Sequence, residues 1–122
     1  MKSVREIVFY KDYFETFFET LAEKVKGKID EVLFMITILD RVPVKFFRSI
    51  EGIKGLYEIR VEYESNIYRL FCCFDKGNLV VLINGFQKKT QKTPTKELRK
   101  AEKLMNEYFI EQKEMNNGNK KK

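Results

Sequence analysis

The chain has 122 residues, a net charge of +6, 43% hydrophobic residues and no histidine. This size and apolar content fit one globular domain, and no apolar run approaches the roughly 18 residues of a membrane span or forms a signal-peptide core, so we expect a cytoplasmic protein that does not bind a membrane. The two cysteines, Cys72 and Cys73, are adjacent and lack zinc-ligand spacing, so we expect buried free thiols, no metal and no cofactor.

The absence of histidine restricts the possible chemistry. Acid-base steps must use lysine, glutamate, aspartate, tyrosine or cysteine, which excludes Ser-His-Asp triads and histidine-dependent ribonuclease mechanisms.

The positive charge is concentrated in the last third of the chain. Residues 1–85 carry 13 basic and 13 acidic side chains, whereas residues 86–122 carry 11 basic and five acidic ones. A concentrated positive field suits a polyanion such as nucleic acid, whose phosphates bind lysine and arginine. The alternative is a solvated basic helix with a lysine-rich tail.

The first half of the chain predicts one strand and two helices. Residues 5–10 are β-prone, and apolar residues then follow at helical spacing, namely Phe14, Phe17, Phe18, Leu21 and Val25. We expect Gly27 to end this first helix. The same pattern resumes at Ile29 and continues to Leu39, and Pro43 forbids a longer helix. The two helices would form a hairpin whose apolar stripes belong to the core.

The second half predicts three antiparallel strands and a last helix. Residues 57–63 alternate apolar and polar side chains, as a half-buried strand does. Two turn signals then separate two further β-rich runs, at residues 67–74 and 79–83. Thr93 and Pro94 are typical of the start of a helix. The inner face of this helix would carry Leu98, Ala101, Met105 and Tyr108.

The order strand, helix, helix, three antiparallel strands, helix predicts an α+β domain over residues 1–111. The helical hairpin would cover one face of a curved antiparallel sheet, and the other face could be exposed. Residues 112–122 lack apolar periodicity, so we expect a disordered lysine-rich tail.

Three segments of the chain carry a resemblance to a known family. They are residues 55–60 (GLYEIR), residues 68–71 (YRLF) and residues 82–94 (LINGFQKKTQKTP), the last followed by an amphipathic helix that contains alanine. This pattern resembles the phage-derived, HigB-like branch of the RelE/HigB toxin superfamily, and the likeness covers most of residues 5–109. The resemblance implies a microbial-ribonuclease-like sheet and metal-independent cleavage of messenger RNA in the ribosomal A site. It also implies neutralisation by a cognate antitoxin, often a helix-turn-helix protein.

Five residues are candidates for the chemistry that this resemblance implies. In metal-free cleavage of RNA the 2′-hydroxyl attacks the adjacent phosphorus, so the protein must help to move a proton and to neutralise the phosphorane. The candidate catalytic residues are Arg60, Arg69, Lys88, Lys89 and Tyr68. Arg69 lies on an otherwise apolar strand and is the candidate for binding the scissile phosphate. Some related toxins use histidine or aspartate near this site, and histidine is absent here.

Each of these assignments has a structural alternative. Arg69 could form an ordinary ion pair with Glu58 or Glu62, and Arg60 could form a surface cross-strand pair. The two lysines could belong to a solvated loop. Tyr68 could pack in the core, because it shares the parity of apolar Leu70.

A second set of residues is predicted to bind RNA without taking part in the reaction. Phe86 could stack on a base, with core packing as the alternative. The basic side chains would bind phosphates of ribosomal RNA. The alternative is that they form only a solvated helix face. They are Lys92, Lys96, Arg99, Lys100 and Lys103.

Two other functions remain open at this point. A ParE-type toxin shares the fold but poisons gyrase and cuts no RNA. A non-catalytic RNA-binding relic of the fold would need only the basic last third of the chain.

Overall fold

The computed structural model describes residues 2–88 and 93–120. Its helices and strands follow the predicted order and confirm the α+β class, with one additional short strand. In chain order they are β1 (Glu6–Phe9), α1 (Tyr13–Glu19), α2 (Glu23–Ile38), β2 (Phe47–Ser49), β3 (Tyr57–Tyr63), β4 (Asn66–Asp75), β5 (Leu79–Lys88) and α3 (Thr95–Lys120).

The five strands form one mixed sheet in the order β1-β5-β4-β3-β2. Strands β2 to β5 are an antiparallel meander, as predicted for the last three of them. However, β1 pairs with β5 in parallel, so the expectation of a wholly antiparallel sheet is wrong. The reason is the crossover: α1 and α2 carry the chain from β1 at one edge to β2 at the other, and β5 then returns beside β1.

The additional strand, β2, has only three residues and pairs with β3 from Phe47↔Ile59 to Ser49↔Tyr57. Three residues are too few for an alternating pattern to predict a strand. β2 nevertheless matters, because it brings Arg48 opposite Glu58.

The break between the first two helices is not at Gly27, as predicted, but at residues 20–22. The amides of Thr20 and Leu21 bond three residues back, to the carbonyls of Phe17 and Phe18, which closes α1 with a tighter turn. Ala22 is then extended (ψ 151°) and precedes α2, and Gly27 lies inside α2. A single glycine costs a helix only about 1 kcal/mol relative to alanine. Burial of Val25 and Ile29 on either side of Gly27 outweighs that cost.

A hydrophobic core lies on each face of the sheet. On one face the helices α1 and α2 pack on alternate residues of β3, β4 and β5, including Ile59, Leu70 and Leu82. On the other face, which the sequence allowed to be exposed, α3 packs Ala101 and Met105 against the sheet. The strand residues of this second core are Phe71, Cys73, Val81 and Ile83. The second face is thus covered over one part only.

The last helix is longer than predicted. Residues 112–120, expected to be a disordered tail, continue α3 to Lys120, and residues 121 and 122 lie outside the described part. Glutamine, lysine, glutamate and methionine are good helix formers, so a helix can extend beyond its last apolar contact. Glu111 also fixes this region, because it accepts a hydrogen bond from the Tyr10 hydroxyl at 2.6 Å and pairs with Lys11 at 3.3 Å.

The two cysteines are free and buried, as predicted. Cys72 packs in the core under α1 and α2, and Cys73 packs in the core under α3. Burial raises the pKa of Cys73 to about 12 and the pKa of Cys72 well above its usual value. Both therefore remain uncharged thiols at neutral pH.

Within residues 2–88 and 93–120, no group of three or more cysteine, aspartate or glutamate side chains is arranged to hold a metal ion. No helix in the same part of the chain is both long and apolar enough to cross a membrane.

Candidate active site

Four cations from four neighbouring strands lie together on the α3 side of the sheet, beyond the part that α3 covers. They are Arg48 on β2, Arg60 on β3, Arg69 on β4 and Lys88 on β5. The strand register places Arg48 opposite Glu58, Arg60 opposite Arg69, and Lys88 opposite Ile67. We call these four residues, together with Glu58, the cationic cluster.

A β-bulge brings Lys88 into the cationic cluster. Phe71 pairs with Asn84 but Cys72 pairs with Leu82, so Ile83 is an extra residue on β5. An extra residue reverses the facing of every side chain after it. Gly85 therefore faces Leu70 and Phe17 on the α1 side, whereas Lys88 turns to the α3 side.

Glu58 is the acidic centre of the cluster. Its side chain is only 1% exposed, and Oε2 accepts hydrogen bonds from Arg48 Nε at 3.2 Å and from Arg69 Nη1. The ion pair that was the alternative interpretation of Arg69 is thus present. The Arg69 side chain is itself 5% exposed, so in this structure it supports the site from within and offers solvent little surface.

Arg60 is the more accessible arginine at the centre of the sheet. Its side chain is 33% exposed, and its nearest carboxylate, Glu62, lies 3.9 Å from Nη2, beyond hydrogen-bond distance. The residue directly across the strand pair is Arg69, another cation. Like charges directly opposite each other on two strands destabilise a sheet. The presence of Arg60 opposite Arg69 therefore favours a functional role for the two arginines.

Burial and repulsion between the cations both lower pKa values in the cluster, and burial is the larger cause. Partial burial lowers the pKa of Lys88, and Arg69, Arg60 and Arg48 lower it further while Glu58 opposes them. Burial also lowers the pKa of Arg69, and Arg48 and Arg60 act in the same direction while Glu58 opposes them. Only Arg48 and Arg69 bond to the Glu58 carboxylate, so an anion would relieve the repulsion among the four cations.

Several buried polar atoms beside the cluster lack a partner within the described part of the chain. They are Nε of Arg60, Nε of Arg69, and both amide atoms of Asn84. Asn84 is 2% exposed and lies across the strand pair from Phe71, between the cluster and the core under α3. Unpaired buried polar groups are uncommon in proteins, so each calls for an explanation, and a catalytic role is one of them.

The predicted stacking residue, Phe86, lies opposite Arg69 on β5. It is half-buried, and its ring stacks on Phe71 with centroids 5.6 Å apart and planes 18° apart. One ring face is thus used in packing, and the ring borders the cluster.

Tyr68 does not join the cluster. It is 4% exposed and packs in the core under α1 and α2, on the opposite face of the sheet from Arg60 and Arg69. Its parity with Leu70 already favoured this position. The structure therefore gives no support to the catalytic role predicted for Tyr68.

The basic face of α3 is exposed, as its helical positions require. It presents Lys96, Arg99, Lys100 and Lys103, and Arg99 pairs with Glu102 at 3.7 Å. The predicted site residues Lys89 and Lys92 lie outside the described residues.

Two cavities among the described residues lie away from the cluster. One of about 840 Å³ is lined by residues of the N-terminus, α2 and the start of β5, including Arg5, Phe34 and Leu79. A smaller one of about 270 Å³ lies between α1 and α2, next to Phe9. Neither of these two cavities includes a predicted site residue.

Three residues of the site were missed from the sequence. Arg48 lies on a strand too short to be predicted. Glu58 was considered only as the partner of Arg69 in an ion pair without a functional role. Asn84 had a visible signal, an amide within an apolar strand run, which calls for a reason in the same way as Arg69 did.

Comparison with known proteins bears on what this site does. Residues 16–106 match the family described as Phage derived protein Gp49-like (DUF891). A search of curated proteins finds no match.

A solved structure described as the archaeal RelE–RelB complex from Pyrococcus horikoshii OT3 is similar in part. The sequence identity is 17%, the TM-score is 0.49, and the match covers 66% of this chain and 91% of that chain. The match to the family covers well over half of the sequence and includes Arg48, Arg60, Arg69 and Lys88. The chain therefore belongs to the phage-derived Gp49-like family, a family of RelE/HigB-type toxins.

Proposed function

We propose that the protein is the toxin of a type II toxin-antitoxin system and cleaves messenger RNA on the ribosome without a metal ion. The observation that carries this proposal is the cationic cluster, in which three arginines and a lysine surround one buried carboxylate. Such a surface binds the phosphate backbone of a polynucleotide and stabilises additional negative charge on it.

The reaction needs a proton acceptor for the 2′-hydroxyl and positive charge beside the phosphorus. Lys88 fits the first role, because its lowered pKa increases the neutral fraction that can accept a proton. Arg60 fits the second role, because its guanidinium is partly exposed and lacks a close carboxylate. Arg69 adds positive charge from beneath the surface and holds Glu58 in place.

The basic face of α3 would then serve binding. Its four exposed cations supply phosphate contacts that are independent of base sequence, as required to dock on ribosomal RNA. Family membership supports a cognate antitoxin as the second partner, with a helix-turn-helix protein as the expected class.

The test is inducible expression in a bacterial host, with growth and full-length messenger RNA followed together. Arg60→Gln and Lys88→Gln should each restore growth and lower messenger RNA cleavage by about tenfold or more. Both side chains are partly exposed, so the variants should fold. Arg69→Ala is less suitable, because it leaves Glu58 buried without its main partner, at a cost of about 3–5 kcal/mol.

Lys24→Gln is the matched control. Lys24 is an exposed cation on α2, on the opposite side of the sheet from the cluster, and its substitution should leave toxicity unchanged. Cleavage that occurs only in translated messages supports the proposal.

Two outcomes favour the other functions. Growth arrest with intact messenger RNA and an SOS response identifies a gyrase poison. Unimpaired growth, with RNA binding retained by the purified protein, identifies a non-catalytic RNA-binding relic.

A further inference from the structure

The geometry points to Arg48 as a phosphate-binding residue of the site and to Glu58 as the residue that positions it. This inference rests on the proposed function, because the phosphate in question belongs to the RNA substrate. Neither residue was among those expected from the sequence.

Arg48 differs from Arg69 in which of its donors are used. Both guanidinium groups bond to Glu58, but Arg48 does so through Nε at 3.2 Å, while its side chain remains 53% exposed. No hydrogen bond or ion pair involves its terminal nitrogens within the described part of the chain. An arginine held through Nε keeps the paired terminal donors, which suit two oxygens of one phosphate.

The anchor also reduces the cost of binding. A free arginine side chain loses rotamer freedom when it is immobilised on a ligand, and this loss weakens binding. In Arg48 part of that freedom is already lost, because the 1%-exposed Glu58 carboxylate fixes the guanidinium near the end of the side chain.

Glu58 holds cations on both strands that flank β3. Its oxygen Oε2 bonds to cations from β2 and β4, on either side of its own strand. Arg69 is buried and serves as the second anchor of Glu58, so Arg48 is the guanidinium of this trio that faces solvent. Arg60 pairs with Arg69 two residues along from Glu58, and Lys88 lies two residues farther, opposite Ile67. Arg48 is thus the outer end of a line of cations that crosses the sheet diagonally.

The experiment measures binding of a short fluorescent single-stranded RNA at several salt concentrations, by anisotropy, with the full-length protein. Arg48→Gln should weaken binding about tenfold and make the salt dependence shallower by about 0.7 in log–log slope, the value for one phosphate contact on a single strand. Arg48→Lys should keep the slope of the wild type but lose affinity, because lysine keeps the charge and lacks the anchored fork.

Glu58→Gln shows whether Glu58 acts on RNA binding by positioning Arg48 or only through its negative charge. Removal of a negative charge makes the site more positive, so charge alone predicts tighter RNA binding. Loss of positioning predicts weaker binding instead, and this is the expected result. Thermal unfolding of each variant shows whether the domain remains folded. The Arg48 variants test the inference even if Glu58→Gln unfolds the protein, because the Arg48 side chain is half exposed and its substitution should leave the fold intact.

Lys24→Gln serves as the control for net charge. If the Arg48 variants bind RNA like this control, the inference is overturned while the proposed function stands. If RNA binding depends on Arg48 but no messenger RNA is cleaved in cells, the phosphate site stands and the nuclease function is overturned. A wild-type protein that binds no RNA in this assay overturns the inference, and messenger RNA cleavage in cells decides the proposed function separately.

Discussion

Lys88 ends β5, and its pKa is lowered first by partial burial of its ammonium group and then by repulsion from Arg69, Arg60 and Arg48. A bound phosphate favours the charged form of this lysine. RNA affinity should therefore fall as pH rises through the lowered pKa of Lys88, starting below the ordinary lysine value of 10.5. The measurement is RNA affinity against pH on the alkaline side of neutrality.

Lys88→Arg is the control for this pH dependence, because arginine keeps its charge over the whole range. Its affinity should stay constant where that of the wild type falls. Parallel curves for the two proteins would show that another group causes the loss. The same variant should bind RNA but cleave it poorly, since arginine cannot accept the proton.

At the scale of single residues, the sequence predicted which side chains are unusual better than it predicted what they touch. Arg60, Arg69 and Lys88 do converge, because they lie on adjacent strands of a recognisable meander. The facing of Lys88 depends on the bulge at Ile83, and the alternation of β5 before that point predicts the opposite face. Glu58 and Arg48 depend on pairing with a strand of three residues, which no local pattern specifies.

Gly27 illustrates the balance between local preference and packing at the scale of one helix. It lies inside α2, it is exposed, and an added Cβ would meet nothing within 4 Å. Gly27→Ala should therefore stabilise the protein by about 0.5–1 kcal/mol, because alanine loses less backbone entropy in a helix. Urea unfolding measures this, and a lower midpoint would show that the glycine is needed where it is.

The helices also show why element types are easier to predict than their ends. The apolar spacing of residues 14–39 requires two helices against the sheet in any interpretation. The break falls at residues 20–22 because Thr20 closes α1 and Ala22 is extended, and these details follow from the packing of both helices on one core.

In α3 the Tyr108 hydroxyl bonds to Asp75 at 2.7 Å and anchors the helix to the end of β4, a contact across 33 residues of sequence.

At the scale of the whole molecule, two positive regions lie on one side of the sheet: the cationic cluster and the outer face of α3. The first is proposed to act on the substrate and the second on the ribosome. Substitution of all four exposed α3 cations by glutamine should reduce co-sedimentation with ribosomes and make its dependence on added salt shallower. Fold stability should change by less than about 1 kcal/mol, because these side chains are solvated.

The control for that variant is the cluster variant Arg60→Gln, which should still co-sediment with ribosomes while it no longer cleaves. If the α3 variant co-sediments normally, the basic helix face is only a solvated surface, which was the alternative interpretation of the sequence.

The parallel pairing of β1 with β5 has a consequence for when the protein becomes active. Glu6 must wait for Leu79 to be synthesised before it has a partner, and the second core closes only when α3 follows. Closure of so long a loop comes late in folding. The fold that holds the cationic cluster is therefore incomplete until the residues of α3 have been synthesised. On the proposed function, a copy that is still being translated is inactive.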